Sequence, residues 1–325
     1  MAIKKEAYLY LSAALRARET KLLNAERAQR MLDAAGFEEC AKLLTDCGYG
    51  DMSQFSAKEI EAELSRHRCE VFDELERMAP DKTVVDIFRM KYDYHNVKSV
   101  LKGDAVGADC EHLLVSCGRV KPERLLGAIR EERWSELPKA LAKAAEDAKA
   151  ALARTGNPQL ADFVLDRAYS AELRDVAKAT GSAFLTGYVE LLNESIKLRS
   201  AVRILRMGRG AETMREEGIP EGSGLDTGDR ERTAAKYSHT PLEKAVQLGM
   251  DALDGGSLTA FELECDNAVN AYLKGAKLVS FGEEPLVAYI AAVENEITAV
   301  RMILTGRLAG IAPAVIRERL RDLYA

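Results

Sequence analysis

The chain has no pair of closely spaced cysteines, no phosphate-binding loop and no uninterrupted block of basic residues. Each absence removes a class of function. Cys40, Cys47, Cys69, Cys110, Cys117 and Cys265 never fall in a CxxC pair, and His67, His95, His112 and His239 do not supply the missing ligands. Structural zinc needs its ligands in tight pairs, so the cysteines read as small buried thiols of a reducing compartment and no metal is expected. Without GxxxxGK[ST] the chain cannot cradle nucleotide phosphates in the usual way. Gly208-Arg209-Gly210 and Gly222-Ser223-Gly224 lack the strand and the spaced third glycine of a dinucleotide loop. HExxH and GxSxG are absent too, and no cofactor is implied. A net charge of −6, with 46 basic residues interleaved with acids, disfavours nucleic acid as the main ligand. No window approaches the ~18 apolar residues that span a bilayer. The opening MAIKKEAYLYLSAALRARE has neither a long apolar core nor a cleavage site, so it is not expected to act as a signal peptide. Any contact with a membrane is then expected to go through a partner.

What the chain does have is an internal repeat. Ile87–Gly103 (IFRMKYDYHNVKSVLKG) returns in degraded form at Tyr188–Gly208 and again at Leu286–Gly306. Ile87, Met90, Tyr94, Val97 and Leu101 align with Tyr188, Leu191, Ser195, Leu198 and Val202, then with Leu286, Tyr289, Val293, Glu296 and Val300. Small hydroxyls also line up (Ser99, Ser200, Thr298), as do cations (Lys102, Arg203, Arg301). A period near 100 residues is a domain and not a solenoid unit. Three related modules are therefore expected, over residues 1–105, 106–212 and 213–325. The composition, 47% apolar and 30% charged, is that of a globular chain.

Helical periodicity dominates, and no alternating strand or Asn-Gly hairpin is found. The repeat segments step 3, 4, 3, 4 along their apolar positions, the seam of antiparallel bundle helices. The first repeat helix is expected from about Thr83 to Lys102. Ser195 softens the second seam and Glu296 breaks the third. A carboxylate in a seam must be paired or partly wet, so the third module is expected to be locally open there. Ser56 to Glu59 reads as a capping box for a helix through Met78. Thr240-Pro241-Leu242-Glu243 reads as a hydroxyl cap followed by Pro and Glu. The Ala-rich run Lys139–Arg154 should stop at Gly156, and Pro122 should restart a helix. Six glycines and a proline between Gly208 and Asp229 mark the one clear break.

Three groups of side chains are candidates for function. Tyr92, Asp93, Tyr94, His95, Asn96 and Lys98 concentrate polar chemistry on one helix. Tyr94 lies on the seam, Tyr92, His95 and Asn96 share a second face, and Asp93 flanks the seam on the side away from His95. An enzyme using Asp93 and His95 for proton transfer needs both within reach of one substrate. The alternative is a helix packed on several sides, its polar groups tied to neighbouring backbone. Arg199, Arg203 and Arg206 form a basic stripe at i, i+4 and i+7, and Arg16 and Arg18 form a second basic pair. Such a stripe is either a solvated face or a contact for acidic helix ends or an acidic partner. An all-helical scaffold in an unrelated complex fits the repeat as well.

Tyr92-Asp93-Tyr94-His95-Asn96-Val97-Lys98 resembles the YDYHNLK hallmark of the C subunits of V-type ATPases, called d in eukaryotic enzymes, departing from it only at Val97. The opening, Tyr10 through Tyr49, is similar to the start of the same family, and the glycine-rich segment at 218–228 is a looser match to its Pro/Gly turn. The resemblance implies an all-α, funnel-shaped protein of three similar helical-bundle modules with approximate threefold symmetry. It implies a non-catalytic place in the rotor, between the central-stalk D and F subunits and the membrane proteolipid ring. Torque for ATP-coupled proton or sodium transport would pass through it. The location implied is cytoplasmic, peripheral to the membrane. Arg16, Arg18, Arg199, Arg203 and Arg206 are the candidate partner contacts on this reading.

Overall fold

The computed structural model of the chain describes residues 3–208, 212–213 and 229–325. Among them every regular element is helical, as expected. Arg209 and the glycine-rich segment at 218–228 lie outside the described residues. In chain order the α-helices are α1 (Leu9–Glu19), α2 (Ala25–Asp33), α3 (Phe37–Lys42), α4 (Ala57–Met78), α5 (Thr83–Val106), α6 (Pro122–Arg130) and α7 (Lys139–Thr155). They continue with α8 (Pro158–Thr180), α9 (Ala183–Arg206), α10 (Arg230–Tyr237), α11 (Glu243–Leu253), α12 (Leu258–Lys274), α13 (Glu283–Leu308) and α14 (Pro313–Arg317).

Local chemistry sets these boundaries. Ser56 and Glu59 form the full capping box at the head of α4, satisfying two backbone donors that the helix leaves free. Asn24, Asn157, Ser182 and Ser257 each accept a hydrogen bond from an N–H in the first turn of the helix that follows. Pro122 and Pro158 sit at helix starts, where the missing N–H costs nothing. α7 stops at Gly156, whose φ of 64° is cheap for glycine alone. One expectation differs. Thr240 does not cap α11; its hydroxyl donates to the Tyr237 carbonyl, and Glu243 Oε2 instead accepts from the His239 N–H at 3.0 Å. Pro241 follows Thr240 in a turn, so the helix begins only at Glu243.

The three repeat segments are the long helices α5, α9 and α13, which begin at residues 83, 183 and 283. The helix before each begins at 57, 158 and 258, so a helix pair recurs at the predicted spacing. The seam positions are buried at Met90, Val97, Leu198, Val202, Val300 and Ile303. α13 is buried on most of its circumference, the mark of a helix surrounded by others and not of a half-exposed one.

The chain divides into two compact units, Asp86–Gly256 and the combination of Met1–Val85 with Ser257–Ala325. In the first of these, α5 shares a core with α6, α7 and α8. Tyr94, Val97 and Leu101 meet Leu125, Leu141 and Leu165 there. α7 and α8 form a tight pair because Ala144, Ala145 and Ala148 present almost no bulk at the contact. α9 packs on α8 and α11. In the other unit α13 is the central helix, packed most extensively on α4 and also on α1, α2, α3 and α12. The first repeat helix thus shares a core with the three helices that follow it, α9 lies between its predecessor α8 and the later α11, and the last repeat helix lies against the first helices of the chain.

Candidate functional site

The YDYHN helix, α5, fastens the loop between itself and α6 through Asp93, His95 and Asn96, and reaches α8 through Tyr94 and Lys98. Asp93, fully buried, accepts from Arg119 Nε at 2.7 Å and from the Val120 N–H at 3.1 Å. Arg119 Nη1 continues to Glu172 Oε1 on α8 at 2.8 Å, and Tyr94 donates its hydroxyl to the other oxygen of Glu172 at 2.8 Å. Asn96 makes a reciprocal pair with Val115, donating to its carbonyl at 2.9 Å and accepting from its N–H at 2.8 Å. His95 is exposed and donates to the Leu113 carbonyl at 3.2 Å. Lys98 pairs with Asp166 at 2.6 Å. Tyr92 is buried.

The electrostatics follow from this packing. Burial raises the Asp93 carboxyl above its ordinary range, opposed by Arg119 and by the Val120 N–H. Burial works against the Arg119 charge, but the hydrogen bonds it donates to Glu172 and Asp93 outweigh that and raise the guanidinium. With a guanidinium at 2.7 Å the pair is held ionised at neutral pH. Burial and the Glu172 carboxylate push the Tyr94 phenol up. Asp93 and His95 therefore serve different partners on different sides of the helix, and Asp93 has no exposed surface to offer a substrate.

The third repeat helix holds its neighbours in the same way. Glu296 is 3% exposed. Its Oε2 accepts from the Leu23 N–H at 2.5 Å and its Oε1 from the Tyr49 hydroxyl at 2.8 Å. The expected local opening is thus absent; the break in the seam is filled by two donors from the start of the chain. Burial pushes the Glu296 carboxyl up to about 7 against those two donors, and burial with the nearby carboxyl pushes the Tyr49 phenol up in turn. Arg68 on α4 pairs with Glu294 at 3.2 Å, both side chains largely buried.

Two surface ion pairs share one geometry. Lys102 meets Asp162, the fifth residue of α8, at 2.6 Å. Arg301, which the repeat aligns with Lys102, meets Glu61, the fifth residue of α4, at 2.7 Å. α5 against α8 and α13 against α4 thus share this ion pair, made once in the middle of the chain and once between its end and its beginning. In the second repeat, Glu194 occupies the aligned position of Asp93 and accepts from Lys197 at 2.9 Å and from the Tyr237 hydroxyl at 3.0 Å. Burial pushes Glu194 up, but Lys197, Lys236 and Tyr237 together bring it below its ordinary range.

The basic candidates divide. Arg16 donates to both oxygens of Glu19 and to the carbonyls of Ala276 and Val279 at 2.7 and 2.8 Å, closing the turn that follows α12. Arg18 forms a forked pair with Glu74. Arg199 is half-buried, while Arg203 and Arg206 are exposed, Arg206 donating to the Gly256 carbonyl at 3.1 Å. Cys40, Cys47 and Cys110 are free, buried thiols and Cys265 is buried, whereas Cys69 and Cys117 are disulfide-bonded, so the expectation of thiols throughout does not hold for those two. No group of metal-binding side chains occurs among the described residues, and none of their helices is long and apolar enough to cross a membrane.

Arg119, Glu172 and Tyr49 complete these networks, and nothing in the sequence singles them out as polar partners. Each acts across 26 or more positions from the group it meets, and no local pattern marks such a distance.

Residues 11–319 match the family model described as ATP synthase (C/AC39) subunit. The C subunit of the V-type sodium ATPase of Enterococcus hirae is 25% identical over 334 residues, covering 98% of this chain and 99% of the relative. The C subunit of the A-type ATP synthase of Methanocaldococcus jannaschii is 23% identical, covering 99% of this chain and 88% of the relative. That of Haloquadratum walsbyi is 26% identical, covering 95% and 96%.

Proposed function

Because the chain belongs to the ATP synthase (C/AC39) subunit family, we propose that it is the non-catalytic rotor subunit of a V/A-type rotary ATPase. It links the central-stalk D and F subunits to the membrane proteolipid ring and transmits torque for ATP-coupled proton or sodium transport. Its place is peripheral to the membrane, on the cytoplasmic side. The three modules, 1–105, 106–212 and 213–325, close around an axis as a funnel on this reading.

The observation that carries the proposal is the repeated ion pair: Lys102 with Asp162 and Arg301 with Glu61. A linear array would leave its first and last faces unlike the rest. The ion pair between the last repeat helix and the first module matches the one between the first repeat helix and the second, and this likeness supports the reading of a closed set. A torque adaptor must also resist deformation. The YDYHN helix, with its buried ion pair and its reciprocal Asn96–Val115 bonds, supplies stiffness and not turnover. Arg199, Arg203 and Arg206 are the proposed partner-facing cations, while Arg16 and Arg18 act within the fold. Pull-down of the full chain with the D subunit and, separately, with detergent-solubilised proteolipid ring tests the role. Binding to both is expected; binding to neither ends it.

A further inference from the structure

Asp93 and Glu296 each fasten the segment ahead of another helix, although the repeat aligns Glu296 with Val97 and not with Asp93, and they differ in the charge beside them. Asp93 grips the N–H of Val120, two residues before α6 begins. Glu296 grips the N–H of Leu23, two residues before α2 begins. Asp93 has the Arg119 guanidinium beside it at 2.7 Å. The residue in the corresponding place before Leu23 is Leu22, buried and without charge. Among the described residues no cation lies within ion-pair distance of Glu296.

The other groups facing Glu296 do not replace that cation. Arg27 on α2 is turned to the carbonyls of Thr20 and Leu22. Cys47 and Tyr49 come from the turn after α3, and burial pushes the Cys47 thiol up to about 11, so it stays neutral. From α4, Arg68 is taken by Glu294 and His67 stacks on the Tyr49 ring at 4.4 Å. Arg18 on α1 is taken by Glu74. Tyr289 lies along α13 itself and is held neutral by burial.

We propose that Glu296 is an acid-held latch. In its neutral form it closes the third repeat helix onto the start of the chain, and its ionisation releases the segment around Leu23 ahead of α2, while the Asp93 latch stays shut. A buried carboxylate without a cation pays the full desolvation cost of its charge, whereas the ion-paired one is already charged in the closed state. The neutral acid remains a competent partner. One oxygen accepts from Leu23, and the protonated one exchanges a hydrogen bond with Tyr49. Opening hydrates the carboxyl and returns it to the ordinary range near 4.3. The latch belongs to the fold of this chain and holds whether or not the rotor role does.

Hydrogen exchange on the full chain between pH 5 and pH 8, corrected for the intrinsic rate at each pH, reads both latches at once. The opening constant at Leu23 is expected to rise by roughly fifty- to a hundredfold and level off above about pH 7. The opening constant at Val120 is expected to stay flat over the same range. Glu296→Gln, which mimics the neutral acid, should flatten the Leu23 profile. Tyr49→Phe removes a donor that favours the charged form and should move the plateau to higher pH. Parallel Leu23 and Val120 profiles in the unaltered chain overturn the proposal without any variant. So does a Leu23 rise that persists in Glu296→Gln.

Discussion

Gly118 faces Asp93 with no space between them: a Cβ on Gly118 would lie 2.3 Å from Asp93 Oδ1. The same oxygen accepts from the Val120 N–H, so the close approach of the loop backbone is what brings the donor within range. Gly118→Ala must displace either the carboxylate or the loop. A loss of about 1–3 kcal/mol is expected, the usual cost of overpacking a buried site, read from urea unfolding. A change under about 0.5 kcal/mol would mean that the loop is not fastened at this point.

Arg119 bridges two carboxylates from different helices, Asp93 on α5 and Glu172 on α8. Arg119→Met keeps the bulk and leaves both acids buried without a counter-charge. The expected loss is about 3–5 kcal/mol, the cost of breaking a buried pair from one side. Adding Asp93→Asn should cost much less than the sum of the two single changes, because the second removes a charge the first had stranded. A double-mutant cycle measures this, and strict additivity would show that the two side chains do not act together.

Tyr94 combines a seam position with a polar tip. Its ring packs in the core of its unit, tilted against Tyr169 at 5.3 Å, and its hydroxyl reaches Glu172. Tyr94→Ala is expected to cost about 3–5 kcal/mol, whereas Tyr94→Phe should lose about 1.5–3 kcal/mol, the contribution of a hydrogen bond to a charged acceptor. Equal losses in the two variants would mean that the ring contributes little and that the seam is not a packed one.

Much of this was legible in the sequence because it is local. The capping box at Ser56, the stop at Gly156 and the start at Pro122 are each written within about four residues, and the three long helices follow from apolar spacing alone. Burial of α13 on most sides was not legible, since the 3, 4 step describes one seam and says nothing of what covers the other faces. Nor was the fate of Glu296. The rule that a seam carboxylate is paired or wet was sound, but the donors come from Leu23 and Tyr49, 273 and 247 positions away. The internal bonds of the first arginine pair were not legible for a related reason. Nothing local to Arg16 marks it as the donor to the carbonyls of Ala276 and Val279, 260 and 263 positions away.

Glu296 also ties global stability to pH. Its folded-state value of about 7 lies above the unfolded value near 4.3, so the unfolded chain releases this proton first as pH rises. The contribution of this group is greatest below about pH 4.5, declines between there and about pH 7, and is constant above that, a span of about 3–4 kcal/mol. Because other carboxylates titrate with the opposite sign, the comparison to make is between the unaltered chain and Glu296→Gln. The difference in their unfolding free energies should change across that window and not above it. A constant difference from pH 4.5 to pH 8 would mean that the group is ionised in the folded chain throughout.

The buried thiols offer a test that needs no substitution. Burial pushes Cys40 and Cys47 up to about 11, and both side chains are nearly or fully enclosed. The thiolate is the reactive form, and at pH 8 it is about one part in a thousand for a group titrating near 11. Cys40 faces Arg307 and Cys47 faces Arg27, and these cations pull each thiol down without cancelling the burial. A brief exposure to iodoacetamide at pH 8 should therefore leave both unmodified in the native chain, a prolonged one reads the slow labelling that follows local opening, and both should react fully in guanidinium, as read by peptide mass mapping. Because Cys47 lies beside the Glu296 latch, its labelling should rise before that of Cys40 as pH is taken from 6 to 8. Simultaneous labelling of the two would place the opening somewhere other than the junction between α13 and the start of the chain.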